Sequence, residues 1–210
     1  MDNTSRMVAL LGAVRKQMNG AVLDTLRYYG ADYGLNYGVA IHSLRETARE
    51  TGRDDGFARF LYRQQVRELR IVALWIAEPS RTTAADFPFW AAGIINSEVA
   101  EQAAHALLSQ IDDIDALLAE WCASENALLA YAALLAAARS VRVSVGAVTE
   151  GVRSVVGRFP DNRIVAQGAT AALASVAGEH REQVLLLLDG LDDTPTARLV
   201  RDEMSWRMAE

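Results

Sequence analysis

Apolar positions recur every three or four residues along nearly the whole chain, the period of a helix with one face turned inward. This pattern predicts helices over 4–18, 20–29, 37–51, 54–62, 65–77, 83–94 and 97–109. It continues over 112–121, 125–139, 141–157, 161–177, 179–188 and 195–208. No segment alternates residue by residue as a half-buried strand does. Several boundaries have a chemical cause. Asp54, Ser97, Asp112 and Asp161 are placed to accept the unpaired N–H groups of a first helical turn. Pro195 suits a helix start, and Pro79 follows a helix that it cannot extend. Gly52, Gly157 and Gly190 stand where left-handed C-terminal caps are expected.

About thirteen helices of ~10–15 residues with short connections imply an all-α protein. Stacking antiparallel helix pairs side by side buries so many small amphipathic units, and the product is a curved α-solenoid. The alanine-rich run 127–138 favours close helix approach. No linker interrupts residues 1–210, so one domain is expected, although no sharp sequence repeat is present.

Composition narrows the picture. Half of the 210 residues are hydrophobic and four are proline, enough for a continuous core and unlike a disordered chain. The lone Cys122 excludes an internal disulfide or a multi-cysteine zinc site and reads as an apolar filler in a reducing, cytoplasmic setting. The apolar run MVALLGAV is followed at once by Arg15 and Lys16 and reads as a helix face, not a signal peptide. The longest apolar run, 127–138, is too short to span a bilayer, so no membrane partner is expected.

Charge is uneven. Residues 83–138 hold eight acids (Asp86, Glu98, Glu101, Asp112, Asp113, Asp115, Glu120 and Glu125) and no Lys or Arg. Residues 1–82 hold twelve basic and nine acidic side chains, and residues 139–210 hold nine and ten. The arginine excess over the single Lys16 is no evidence for phosphate binding, and the net charge of −6 argues against a general nucleic-acid binder.

Four segments carry a resemblance. NYGVAIHSLRETARE (36–50), QQVRELRIVALWIAEP (64–79), INSEVAEQ (95–102) and SENALLAYAALLAAAR (124–139) occur in the order seen in the DNA alkylation repair proteins. The chain resembles that family over roughly 34–139. The resemblance implies a fold of HEAT-like helix pairs and, in active members, excision of alkylated purines from DNA. It further implies a basic, aromatic-lined concave groove in which a carboxylate supports departure of the cationic base.

Carried over residue by residue, the resemblance places Ser97, Glu98 and Glu101 where active members carry Trp, Asp and the catalytic Asp. Glu101 is therefore the candidate catalytic carboxylate. Ala130 and Tyr131 stand at an arginine pair, and Gln167, Ala171 and Ala174 at Lys, Trp and Arg. Trp90, Ser97, Glu98, His105, Tyr131 and Arg139 are the candidate groove residues, with Trp90 expected to line the groove mouth.

Read from spacing alone, Glu98, Glu101 and His105 share one helix face, which suits a catalytic carboxylate, a metal site lacking a fourth ligand, or a solvated face with a Glu–His pair. No metal or cofactor is assigned. Asp112, Asp113 and Asp115 lack the glycine and bidentate Glu of a calcium loop and fit the favourable end of a helix dipole. Tyr28, Tyr29, Tyr33 and Tyr37 could stack on bases or pack the N-terminal helices. Arg45, Arg49, Arg59, Arg63, Arg67 and Arg70 form either a basic ridge or a surface paired with nearby acids.

Two functions follow. One is a divergent, non-catalytic binding or scaffold module whose groove takes a protein, a peptide or an unusual nucleic-acid structure. The other is a glycosylase using Glu101. The acidic middle predicts weak affinity for undamaged duplex.

Overall fold

The computed structural model describes residues 2–28, 30 and 33–209, and these contain thirteen α-helices and no strand. They are α1 (Asn3–Arg15), α2 (Gly20–Tyr28), α3 (Ile41–Thr51), α4 (Asp55–Tyr62), α5 (Arg67–Ile76), α6 (Phe87–Ala91) and α7 (Ser97–Ala106). Then come α8 (Ile114–Cys122), α9 (Ala127–Ala137), α10 (Val145–Arg158), α11 (Arg163–Ala177), α12 (Arg181–Asp189) and α13 (Pro195–Ala209). Each coincides with a segment predicted from hydrophobic period. Residues 37–40 are the main exception: they lead into α3 without helical structure, with Gly38 at φ 68°.

The helices form two layers. α3, α5, α7, α9, α11 and α13 pack side by side in that order as a row. α4 packs on α5, α8 on α9, and α10 on both α8 and α11, forming the second layer with α12. The row helices explain their own packing. Residues 130–137 of α9 are all buried, and five of them are alanines that let α7 and α11 approach closely. One apolar cluster runs from Leu10 to Met204.

A polar latch fastens the N-terminal segment to this stack. Arg67 of α5 is buried and bonds both Glu98 carboxylate oxygens, at 2.6 and 2.8 Å. The buried Glu68 accepts from the Tyr37 and Val39 backbone N–H groups at 3.1 and 3.3 Å. The Tyr33 hydroxyl bonds Glu98 and Asn96. Buried charges persist where they are paired and hydrogen-bonded, as here. Tyr33 and Tyr37 are therefore packing residues, while Tyr29 lies outside the described residues.

The caps shift by one residue in places. Asp54 caps α4 as expected. Asn96, not Ser97, caps α7, and Asn162, not Asp161, caps α11. In each case the asparagine has the extended backbone that a cap needs, and the expected residue lies on one side of it. Gly52 closes α3 at φ 77°, a conformation that costs glycine little. Gly157 lies inside α10, and Gly190 ends α12 with a right-handed backbone.

Trp90 corrects an expectation. It is fully buried, stacked edge-on against Tyr62 at 4.8 Å and Phe89 at 4.9 Å. Its period matched a core position, and α6 inserts it there. It cannot line a groove mouth.

Candidate functional site

Four successive row helices bring one line of side chains together. Trp75 is the only residue of α5 that is not buried. Its indole N–H donates to Gln102 Oε1 on α7 at 3.1 Å, which fixes the ring. The Arg45 guanidinium of α3 lies 4.8 Å from the ring centroid, and the His105 ring of α7 lies 5.1 Å from it. One helical turn before His105, Glu101 Oε1 accepts the Tyr131 hydroxyl of α9 at 3.1 Å. Arg139, just past α9, stands close enough for its charge to act on both His105 and Tyr131.

The electrostatics follow from this crowding. Burial, then the Arg45 and Arg139 charges, hold His105 below the ordinary histidine value. Burial and the Glu101 carboxylate push Tyr131 up to about 12, so its hydroxyl remains a donor at neutral pH. Glu101 and His105 are both exposed but engage different partners, so the expected Glu–His pair does not form. Glu98 turns away from them toward Arg67 and Tyr33, which dissolves the three-residue face. Ser97 is exposed at the start of α7. Among the described residues no group of three His, Cys, Asp or Glu could hold a metal ion. Cys122 is buried, and burial pushes its thiol up to about 12.

The acidic middle segment does not make an acidic groove. Asp86 pairs with Arg59 at 2.9 Å, Glu98 with Arg67, Asp112 with Arg142 at 3.2 Å, and Glu125 with Arg158. Asp113 accepts the Ala84 N–H at 3.1 Å and Asp115 the Ser144 N–H at 3.0 Å. Glu120 is exposed on α8 in the second layer. That leaves Glu101 as the one acid of the eight among the row-face residues. Arginines from the flanking segments fold onto four of the other seven.

The arginine ridge divides. Arg59 and Arg67 are in ion pairs, whereas Arg45, Arg49, Arg53, Arg139, Arg163 and Arg207 have no carboxylate oxygen within 4.0 Å among the described residues. Arg163 and Arg207 border a cavity of about 360 Å³ between α11 and α13, beside Gln167, Ala171 and Glu203. The sequence leaves Arg45 with two possible roles. No linear signal links residues 45, 75 and 105, which meet only through helix packing.

A two-layered, all-helical row with one polar face defines the class as a helical-repeat protein. The chain matches the family described as "DNA alkylation repair enzyme" over residues 13–195, and it belongs to that family. Among solved structures it is similar to one described as "a new family of proteins related to the HEAT-like repeat DNA glycosylases with affinity for branched DNA structures". That match has a TM-score of 0.72 at 16% identity and covers 98% of this chain and 95% of the other. The likeness identifies the HEAT-like fold. No curated protein matches. No helix among the described residues is long and apolar enough to cross a membrane.

Proposed function

We propose that this chain binds DNA across the row face of α3, α5, α7, α9 and α11, prefers branched DNA to linear duplex, and is not an effective glycosylase. The observation that carries the reading is the line Arg45–Trp75–His105–Glu101–Arg139. It offers two guanidinium groups that are in no ion pair among the described residues and a fixed aromatic near a single carboxylate. Such a face suits phosphates and exposed bases. The preference for branched DNA draws on the similar protein whose description names that affinity.

The same geometry argues against base excision. Excision of a cationic base is aided by aromatic surface beside the carboxylate, a contact worth ~1–2 kcal/mol when desolvated. Glu101 accepts from Tyr131, which is itself buried; Ser97 and His105 lie one turn either side of it on α7, and the Arg139 charge reaches His105 and Tyr131. Arg139 would repel a cationic base. Trp75 has Arg45 and His105 against its ring, Trp90 and Trp121 are buried, and the exposed Trp206 lies on the last helix. The extra methylene of Glu moves the carboxylate by ~1 Å relative to Asp, enough to disturb a positioned contact.

Two assays test this. Fluorescence anisotropy should give tighter binding to a four-way junction than to a linear duplex of equal length, and equal affinities would refute the preference. Single-turnover incubation with a 7-methylguanine duplex should release no base above background. Release that disappears in Glu101→Gln would identify a working glycosylase.

A further inference from the structure

A cavity of about 490 Å³ opens between α3 and α5, lined by Arg45, Ala48, Arg49, Gly52, Arg53 and Trp75. Three of its six lining residues are arginines, and none is in an ion pair among the described residues, although Glu46 and Glu50 share α3. Three cations without an ion-pair partner around one cavity repel each other, an arrangement that an anion relieves. Arg45 is the most committed of them. Its guanidinium rests on the Trp75 ring, and its Nε is buried without a hydrogen-bond partner. A buried unpaired donor is costly in a folded protein and marks a place where a ligand acceptor fits. Arg53 is held at the cavity edge by donating to the Ala77 carbonyl, while Arg49 is exposed.

We propose that this pocket receives one nucleotide of an unpaired DNA strand, such as the flap at a branch point. Its phosphate would lie among Arg45, Arg49 and Arg53, and its base against the Arg45–Trp75 pair. Three features favour an unpaired nucleotide. The cavity volume falls in the range of small-ligand sites, ~300–1,000 Å³, and has no room for a duplex. A guanidinium plane backed by an indole is a stacking surface for a base, and a base can reach it only when it is not paired. Trp75 is itself fixed by Gln102, so the surface is formed before the ligand arrives and little side-chain entropy remains to be lost. The wall beside Gly52 is open, since a side chain there would meet nothing within 4 Å, and a strand can enter past it.

This inference rests on the DNA-binding reading, and the test separates the two. Anisotropy is measured with a blunt duplex and with the same duplex bearing a short single-stranded flap, for the wild type, Arg49→Ala/Arg53→Ala and Trp75→Leu. The flap should tighten wild-type binding by about tenfold, the size of one stacked base with its phosphate contact. In Arg49→Ala/Arg53→Ala the flap-to-blunt ratio should fall to about one. Both arginines are exposed, so circular dichroism should be unchanged. Trp75→Leu should cut the ratio as well, with an unchanged circular dichroism spectrum as its folding control. A wild type that binds neither DNA overturns the DNA-binding reading itself. A wild type that binds both equally, or a ratio unmoved by the double substitution, overturns the pocket and leaves DNA binding by the row face standing, with the branched preference then resting on the junction assay.

Discussion

At the scale of single residues, position in the packing decides chemistry. Cys122 shows the simple case. Burial holds its thiol protonated, so it should resist a thiol reagent in the native protein and react on unfolding, as an absorbance assay with a chromogenic disulfide can show. His105 shows the coupled case. Burial and two arginines hold its pKa below the ordinary value of about 6.5. Its contribution to stability is therefore fully present above that value and is lost as pH falls through it toward the folded pKa. Proton NMR should give a His105 midpoint below 6.5. Arg139→Ala should raise that midpoint, because one of the two repelling charges is gone. Gly93 is constrained by space: a Cβ there would overlap the Tyr62 ring, whose hydroxyl is fixed on the Trp90 carbonyl at 2.7 Å. Gly93→Ala should lose ~1–3 kcal/mol in urea denaturation through overpacking.

At the scale of elements, ends and latches carry more energy than helix propensity. Asn162 accepts the Val165 N–H at 3.2 Å and starts α11, so Asn162→Ala should cost ~1 kcal/mol by the same measurement. Arg67 holds two acids, Glu68 and Glu98, that the fold has drawn out of water. Arg67→Ala leaves both without a counter-charge and should cost ~3–5 kcal/mol, with the 33–39 segment the first to lose protection in hydrogen exchange. The sequence located the helices because periodicity is local. It placed the α7 and α11 caps one residue too late or too early, because serine, aspartate and asparagine are all competent caps and only the backbone angle selects among neighbours.

At the scale of the whole molecule, charge becomes a property of surfaces. Binding to DNA through Arg45, Arg139 and Arg163 should weaken as salt rises, and Arg139→Ala should reduce the slope of log affinity against log salt by about one. An unchanged slope would place the DNA elsewhere on the molecule. The acidic middle segment changes character at this scale. Eight acids lie within residues 83–138 with no Lys or Arg among them, yet Arg59, Arg67, Arg142 and Arg158 return from other segments to pair with four of them. Trp90, expected at a groove mouth, is enclosed while Trp75 reaches a face, for the same reason. Both sit in helical patterns, and only the neighbours that each helix meets determine which indole is enclosed and which reaches a face. The sequence by itself determined what is short-range: thirteen helices, their approximate ends, and a family resemblance carried by contiguous segments. Tertiary structure alone decided which acids are neutralised, which aromatic ring is presented, and which residues gather around Glu101. Burial and Coulomb energy depend on distance in space, and in a stack of helices residues 45, 75 and 105 become neighbours through packing that no local pattern encodes.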